Sequence, residues 1–403
     1  MLWYNSANII AHQRRSFGMV HQAQVVIIGA GIIGASVAYH LAARGCTEVV
    51  VLEKESVEVT GSTARSAAGV RHQFSSRTNI LLSQYSIERY KHFTEEIGGH
   101  AELHQHGYLF LFNDHAAWQA YQAVIELQQS LNVPVEVLTP EQAAGYIPEL
   151  NISDLVGATY CAEDGFVDPH GIAMGYLNKA RALGVKVLRD APALGFEFAD
   201  DQVVAVQTPQ GTIRCNYVVN AAGPYAGEVG KTAGFEIPIK PYRRCIYVSD
   251  PFPALPKDIP LTIDVGTGAY IRKEQDTVLM GLSNHNEPSS HDTTVDWDWL
   301  DTVLEAMLNR FPILERAGLS ERQSWAGSYE ITPDHLPILG RMPNCPNWLN
   351  AAGFSGHGVM HAPATGLLIA EEILDGRAHS IDIDELRIER FAAGELHAER
   401  NVI

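Results

Sequence analysis

Gly29, Gly31 and Gly34 fall within six residues, directly after the apolar run Val25 to Ile28. That GxGxxG spacing suits a turn between a strand and a helix. The first glycine allows the tight turn, the second lets the backbone approach a pyrophosphate, and the third lets helix and strand pack closely. Phosphate oxygens would then meet the unpaired N–H groups and partial positive charge of a helix N-terminus. Glu53 lies 19 residues beyond Gly34, at the end of the next apolar run. Its carboxylate is placed there to accept hydrogen bonds from ribose hydroxyls. Together the two signals point to a dinucleotide site, without choosing between NAD and FAD.

A further run of small residues could border such a ligand. "GSTARSAAGVRHQFS" (Gly61 to Ser75) follows soon after Glu53 and suits backbone threaded beside a bulky cofactor; by composition alone it also reads as a surface loop. "GFSGHGVM" (Gly353 to Met360) precedes an apolar helical pattern, so its amides gather at a helix start. His357 and His361 have the spacing of a metal pair on one helical turn. No acid or cysteine stands beside them, and no metal is expected.

The elements that position these residues are readable from periodicity. Val25 to Ile28 and "EVVVLEK" (Glu48 to Lys54) are β-branched runs typical of strands covered on both faces, and Ala35 to Ala43 is the helix between them. In "DPHGIAMGYLNKARALGVKVL", Asp168 is the N-cap, Pro169 the first helical residue and Gly184 the stop before another strand. "CNYVVNAAGPYA" (Cys215 to Ala226) is a strand entering a small-residue turn, and Trp348 to Gly376 repeats strand, loop and helix. Residues 77 to 147 read as mainly helical around "GYLFLF". Residues 236 to 325 read as alternating strands such as "RCIYVSD" and "AYIRKE", then an amphipathic helix in "DWDWLDTVLEAMLNRF". The simplest architecture is a discontinuous nucleotide-binding domain with a second domain inserted into it.

A chain of 403 residues, 46% hydrophobic and 19% charged, can bury more than one core. Its formal charge of -18, without a basic run, argues against nucleic acid or an anionic bilayer as a partner. The five cysteines are far apart and form no CxxC pair, which fits a reducing compartment. The strongest apolar run meets His40 and Arg44 before reaching the about 20 residues of a membrane span, so no span is expected. Residues 1–24 contain Arg14 and Arg15 and no acid. The expected location is cytoplasmic, or mitochondrial if this leader is a transit peptide.

With Glu53, "GSTARSAAGVRHQF", "GYLFLF", "WAGSYEITPDHLPILG" and "AAGFSGHGVMHAPATG" in that order, the sequence resembles the D-amino-acid oxidase superfamily of FAD enzymes from about Val25 to residue 395. It is most similar to the sarcosine oxidase β-subunit group, including the β subunit of dye-linked L-proline dehydrogenase. The resemblance implies an α/β fold: a Rossmann-like FAD-binding domain (GR2-type) with an inserted α+β substrate domain on a mostly antiparallel sheet. The implied bounds are 25–95, 148–235 and 326–385 for the FAD-binding domain and 96–147 and 236–325 for the substrate domain, with an N-terminal extension 1–24 and a tail 386–403.

The same resemblance implies that Gly29, Gly31, Gly34 and Glu53 hold the ADP half of FAD, with Ile32, Ile33 and Lys54 beside them. Ser62, Thr63, Arg65, Ala67, Ala68 and Gly69 would pass the pyrophosphate and flavin. Val187 would meet the adenine, and Ala222 and Gly223 the ADP moiety. Gly353, Ser355, Gly356, His357, Gly358, Val359 and Met360 would lie against the pyrimidine edge, where backbone donors meet the negative charge that develops on reduction.

The implied reaction moves a hydride equivalent from a small secondary or N-methylated amino acid, such as proline or sarcosine, to flavin N5 and leaves an imine. A substrate carboxylate calls for a cation, and arginine binds both oxygens as a planar fork. Arg71 matches the carboxylate-holding arginine of monomeric sarcosine oxidase, Arg272 is a second candidate, and His357 and Met360 complete the candidate catalytic set. Tyr247, Tyr270, Trp325 and Tyr329 are candidates to line the substrate cavity.

Departures from the relatives matter as well. Gly327 stands where some attach FAD through cysteine, and Arg65 where others use histidine, so FAD is expected to bind noncovalently. Pro169 stands at the FMN-linking histidine position, with His170 adjacent; noncovalent FMN at a subunit interface stays open. Met360 and Leu279 replace two lysines, one for carboxylate and one that promotes reaction with oxygen. Electrons are therefore expected to pass to another acceptor or an additional subunit. The alternatives are an oxidase releasing hydrogen peroxide and a noncatalytic flavoprotein assembly factor.

Overall fold

Val25–Ile28 is a strand, β1, with all four residues buried. A strand with no polar side must be covered on both faces, and this one lies inside a six-stranded sheet. The computed structural model describes residues 21–399, so parts of the expected N-terminal extension and tail lie outside the described residues. Strands are numbered along the chain. The sheet order is β18 (Ile338–Met342), β19 (Cys345–Ala352), β12 (Tyr217–Asn220), β1, β2 (Val49–Leu52) and β8 (Lys186–Leu188). Neighbours from β19 to β8 are parallel, and β18 is an antiparallel edge.

Alternate residues feed two cores. Val25, Ile27, Val49 and Val51 face the helices Ile32–Ala43, Pro169–Ala182 and Gly358–Leu374. Val26, Ile28, Val50 and Leu52 face a meander of β9 (Gly195–Ala199), β10 (Gln202–Thr208) and β11 (Gly211–Arg214). The Pro169 helix begins as its sequence indicates, with the Asp168 carboxylate accepting from the His170 N–H at 3.0 Å. Pro363 sits inside the Gly358–Leu374 helix and has no N–H to give the Val359 carbonyl. The Tyr90 hydroxyl donates to that carbonyl instead, at 2.5 Å, tying the Arg77–Lys91 helix to it.

A second, eight-stranded sheet runs β17 (Trp325–Ile331), β13 (Lys240–Val248), β16 (Thr277–Gly281), β15 (Ala269–Glu274), β14 (Leu261–Asp264), β4 (Tyr108–Phe112), β6 (Gly157–Cys161) and β5 (Glu136–Leu138). Its pairs are antiparallel except β14 with β4. The expected domain bounds miss two of these strands. β6 pairs with β4 and β5, and β17 pairs with β13, so 157–161 and 325–331 extend the second sheet rather than the cofactor sheet. One face, with Leu109, Leu111, Ile271 and Met280, packs on Val303 and Met307 of the Leu300–Arg310 helix. The other turns Tyr108, Phe110, Leu261 and Tyr270 toward the first domain. β3 (Gly69–Val70) and β7 (Gly165–Phe166) pair as a separate two-stranded antiparallel sheet. Among the described residues no helix is long and apolar enough to cross a membrane.

Candidate active site

A cleft of about 690 Å³ opens where β1, β2 and β12 end. Gly29 has φ +107, and a Cβ there would lie 2.4 Å from the Ala221 carbonyl oxygen. Gly34 stays out of the cleft; a Cβ on it would lie 2.0 Å from the Gly29 oxygen, so its role is to let the helix sit against the turn. Gly31 caps the helix, and the next amide, Ile32, donates to Thr63 Oγ1 at 3.1 Å. The Glu53 carboxylate is fixed at the rim by the Ala30 N–H (3.1 Å) and the Glu55 N–H (3.0 Å).

Gly29, Gly31, Ile32, Ile33, Glu53 and Lys54 line this cleft, as do Ser62, Thr63, Arg65 and Ala67. Ala222, Gly223, Gly356, Gly358 and Val359 line it too. Of the other residues read as cofactor-binding, Ala68, Gly69, Ser355, His357 and Met360 line a smaller adjoining cavity, and Gly34, Val187 and Gly353 line neither space. Val187 pairs with Val51 in the middle of its strand and stays below the rim; Ala191, Pro192 and Ala193, just past the strand end, line the cleft in its place. Gly353 gives its N–H to Glu330 Oε2 at 3.0 Å and is also outside the lining. Burial pushes the Glu330 carboxyl up to about 7, despite the amides of Gly353 and Phe354 that favour its charged form. At the mouth, Tyr225 stacks on His291 with centroids 4.0 Å apart, and Lys54 Nζ lies 4.4 Å from the tyrosine ring centre. The volume is within the roughly 300–1,000 Å³ of small-molecule sites. With glycine turns that a Cβ would fill and a helix start beside them, these residues fit an extended dinucleotide such as FAD.

A second cavity, of about 50 Å³, shares Ala67, Tyr270, Tyr329, Gly356 and Val359 with the cleft. Arg71 lies in its wall, 0% exposed, with its guanidinium 4.6 Å from the Phe74 ring centre and 5.4 Å from that of Phe110. Nη2 is 3.4 Å from His357 Nε2. Burial, and then the Arg71 charge, holds His357 well below the usual imidazole range, so its neutral ring can accept from the guanidinium. Burial also raises Tyr108, Tyr270 and Tyr329 above the usual phenol range, which keeps all three hydroxyls protonated. Three glycines make room for these tyrosines. A Cβ on Gly69 would lie 1.7 Å from the Tyr108 hydroxyl, one on Gly281 2.2 Å from the Tyr270 ring, and one on Gly356 2.5 Å from the Tyr329 ring. Ser66, Ala68, Gly69, Ser355, Met360 and Leu261 complete the wall.

Sequence reasoning missed Tyr108 and Leu261. Tyr108 stands in "GYLFLF", but the parallel register that sets Leu261 beside it joins segments far apart in the chain. Arg272, the second carboxylate candidate, lines neither space. It is paired with Glu274 and lies 4.3 Å from the Phe166 ring centre, while Tyr270 takes the cavity-facing position on the same strand face. Tyr247 points to the opposite face and donates to the Asp296 carbonyl. Trp325 spends its indole N–H on the Arg65 carbonyl, at 2.9 Å, outside the lining. Leu279 joins Ile246 and Val248 in an apolar patch against Ala67. His361 meets Ser83 Oγ at 3.1 Å. His72, Cys161 and Asp164 lie within 4.8 Å of one another, but Asp164 Oδ1 already accepts the His72 N–H (2.7 Å) and meets its Nδ1 (2.8 Å), and Oδ2 accepts from Gln73 (3.0 Å). The trio is a hydrogen-bonded pin.

The family model described as FAD dependent oxidoreductase (DAO) matches residues 24–372. FAD-dependent oxidoreductase domain-containing protein 1 of Xenopus laevis is 30% identical, over 95% of this chain and 85% of that protein. The mitochondrial dimethylglycine dehydrogenase of Mus musculus is 30% identical over 92% of this chain but 44% of its own length. The chain thus spans less than half of that dehydrogenase. The crystal structure of L-proline dehydrogenase from P. horikoshii is similar with a TM-score of 0.87 at 32% identity, covering 94% of this chain and 100% of that one.

Proposed function

The chain belongs to the FAD-dependent oxidoreductase (DAO) family, and from that premise we propose that it oxidises a small secondary or N-methylated amino acid, proline- or sarcosine-like, to the imine. The observation that carries this reading is the 50 Å³ cavity opening off the cofactor cleft, with a buried guanidinium and three tyrosines in its wall. Bound FAD supplies the acceptor for a hydride equivalent. The chain's own residues bind, orient and dry the substrate. Arg71 takes the carboxylate as a fork, its guanidinium near the rings of Phe74 and Phe110. Burial beside that cation disfavours an ammonium, so the substrate amine is held neutral, the form from which hydride can leave. The hydroxyls of Tyr108, Tyr270 and Tyr329, with Ser66, Ser355 and His357, offer polar groups for the nitrogen, and Leu261 and Met360 exclude water. So small a space favours a short side chain or a five-membered ring.

Two features support noncovalent FAD and an acceptor other than oxygen. Gly327 and Arg65, at the positions where relatives attach flavin, offer no nucleophile; a Cβ on Gly327 would lie 2.9 Å from the Arg65 carbonyl oxygen. The patch of Leu279, Ile246 and Val248 puts hydrocarbon against Ala67, where a lysine would otherwise promote reaction with oxygen. The test is anaerobic mixing of the yellow protein with L-proline, sarcosine, dimethylglycine, glycine and D-alanine. Rapid bleaching is expected with the secondary or N-methylated members, followed by faster turnover with an artificial dye than with oxygen. A flavin that stays oxidised with every member would overturn the reading.

A further inference from the structure

We infer that Glu399 is a positioning residue for Arg71, acting through the turn that carries it. The inference rests on the proposed role of Arg71 toward a substrate carboxylate. The segment from Arg71 to Ser76 is clamped by two buried carboxylates from distant parts of the chain. Asp164 holds His72 and Gln73. Glu399, 3% exposed, holds the other end. Its Oε1 accepts from the Ser75 N–H (2.8 Å) and hydroxyl (2.5 Å), and its Oε2 from the Ser76 N–H (3.3 Å), the Ser76 hydroxyl (3.1 Å) and Asn79 Nδ2 (2.9 Å).

The location favours a negative charge, because Ser76 is the N-cap of the 15-residue helix Arg77–Lys91. The tail that delivers Glu399 is itself anchored. Its backbone N–H donates to the Asp334 carbonyl at 3.1 Å, and the Asp334 carboxylate holds the buried Arg390 guanidinium at 2.7 and 3.0 Å. Phe74 sits between the two clamps, with its carbonyl accepting from Gln128 at 2.9 Å. Its ring is the platform under the Arg71 guanidinium and meets the His357 ring edge-on at 4.9 Å. Release of Ser75 and Ser76 therefore loosens the platform while leaving Arg71, His357 and the cofactor cleft chemically intact.

The probe pair is pyrrole-2-carboxylate and pyrrole, titrated into the FAD-loaded protein and followed by the flavin spectrum. Glu399→Ala is expected to weaken pyrrole-2-carboxylate about tenfold through misplacement of the guanidinium, with pyrrole and FAD affinities unchanged. In turnover KM should rise while kcat stays within about twofold, the signature of lost uniform binding. Ser75→Ala, which removes one donor from the other side, should weaken the carboxylate probe less, and the double variant should match Glu399→Ala rather than the sum. Should Glu399→Ala not fold, Ser75→Ala carries the test alone. Equal weakening of both probes, or no change in either, overturns the inference. Arg71→Ala separates this from the reading beneath it: if that variant binds pyrrole-2-carboxylate like wild type, the carboxylate role of Arg71 falls; if it loses the probe while Glu399→Ala keeps it, only the positioning role falls.

Discussion

The cleft and the cavity touch along one edge and are made differently. The larger space is walled by turns and small residues, with Gly29, Gly31, Gly223 and Gly356 bringing backbone to the ligand. The smaller is walled by large side chains, Arg71, Tyr108, Tyr270 and Tyr329, each seated by packing from another element. A backbone-lined site recognises a large invariant ligand through shape and amide donors. One lined by side chains is adjustable residue by residue, and selectivity for the amino acid belongs there.

The hardest test of the contrast is Gly29→Ala. Its φ of +107 and the 2.4 Å approach to Ala221 leave a methyl no room. Strain and overpacking of roughly 3 kcal/mol should lower FAD affinity about a hundredfold. A variant that purifies yellow with unchanged affinity would break the claim that backbone makes the cleft. Arg71→Ala addresses the cavity. It should stay yellow while KM for an amino-acid substrate rises about a hundredfold, as expected when one member of a buried charge pair is removed. Loss of flavin instead would mean that the two spaces are one site.

Glu330, at the rim of the cleft, sharpens the comparison through pH. Its carboxyl, pushed up to about 7 from an ordinary 4.5, holds its proton more tightly in the folded protein than in the unfolded chain. Between those two values folding takes up a proton, so this group's contribution to stability falls as pH rises. Glu330→Gln should remove that slope, a change on the order of 1–3 kcal/mol across the window, measured by denaturant unfolding at pH 4.5, 6 and 8. A slope unchanged in the variant would assign it to other groups. The smallest expected effect is that of Tyr108→Phe, a tyrosine that lines the cavity and not the cleft. Loss of one hydroxyl contact worth about 1 kcal/mol should slow flavin reduction roughly fivefold without touching FAD binding.

The same contrast explains what could be read before the fold was known. Gly29, Gly31 and Glu53 announce the cleft because glycine spacing encodes backbone approach within one βαβ unit, and the helix begun by Asp168 and Pro169 announces itself by local capping. Val187 and Ala191–Ala193 show the limit, since how far β8 reaches before its turn depends on pairing with β2, not on the strand's composition. Tyr108 meets Leu261 only through a parallel pairing across the second sheet, and Arg272 is excluded from the cavity because Tyr270 occupies the place its strand face offers. Arg71 was legible by resemblance alone, while nothing in a lone glutamate near the tail points to Ser75 and Ser76.

That pairing of Leu261 with Tyr108, like the contacts of β12 with β1 and β19, joins stretches made at very different times on the ribosome. A nascent chain that stops before residue 261 leaves one edge of β4 without its β14 partner, and before residue 348 it lacks the strand that flanks β12. Such long loops must close before their contacts return any energy, which makes the last stage of folding slow and exposes unpaired strand edges meanwhile. Flavin capture should therefore wait until the residues around 348–359 have been made, because Gly356, Gly358 and Val359 complete the cleft lining.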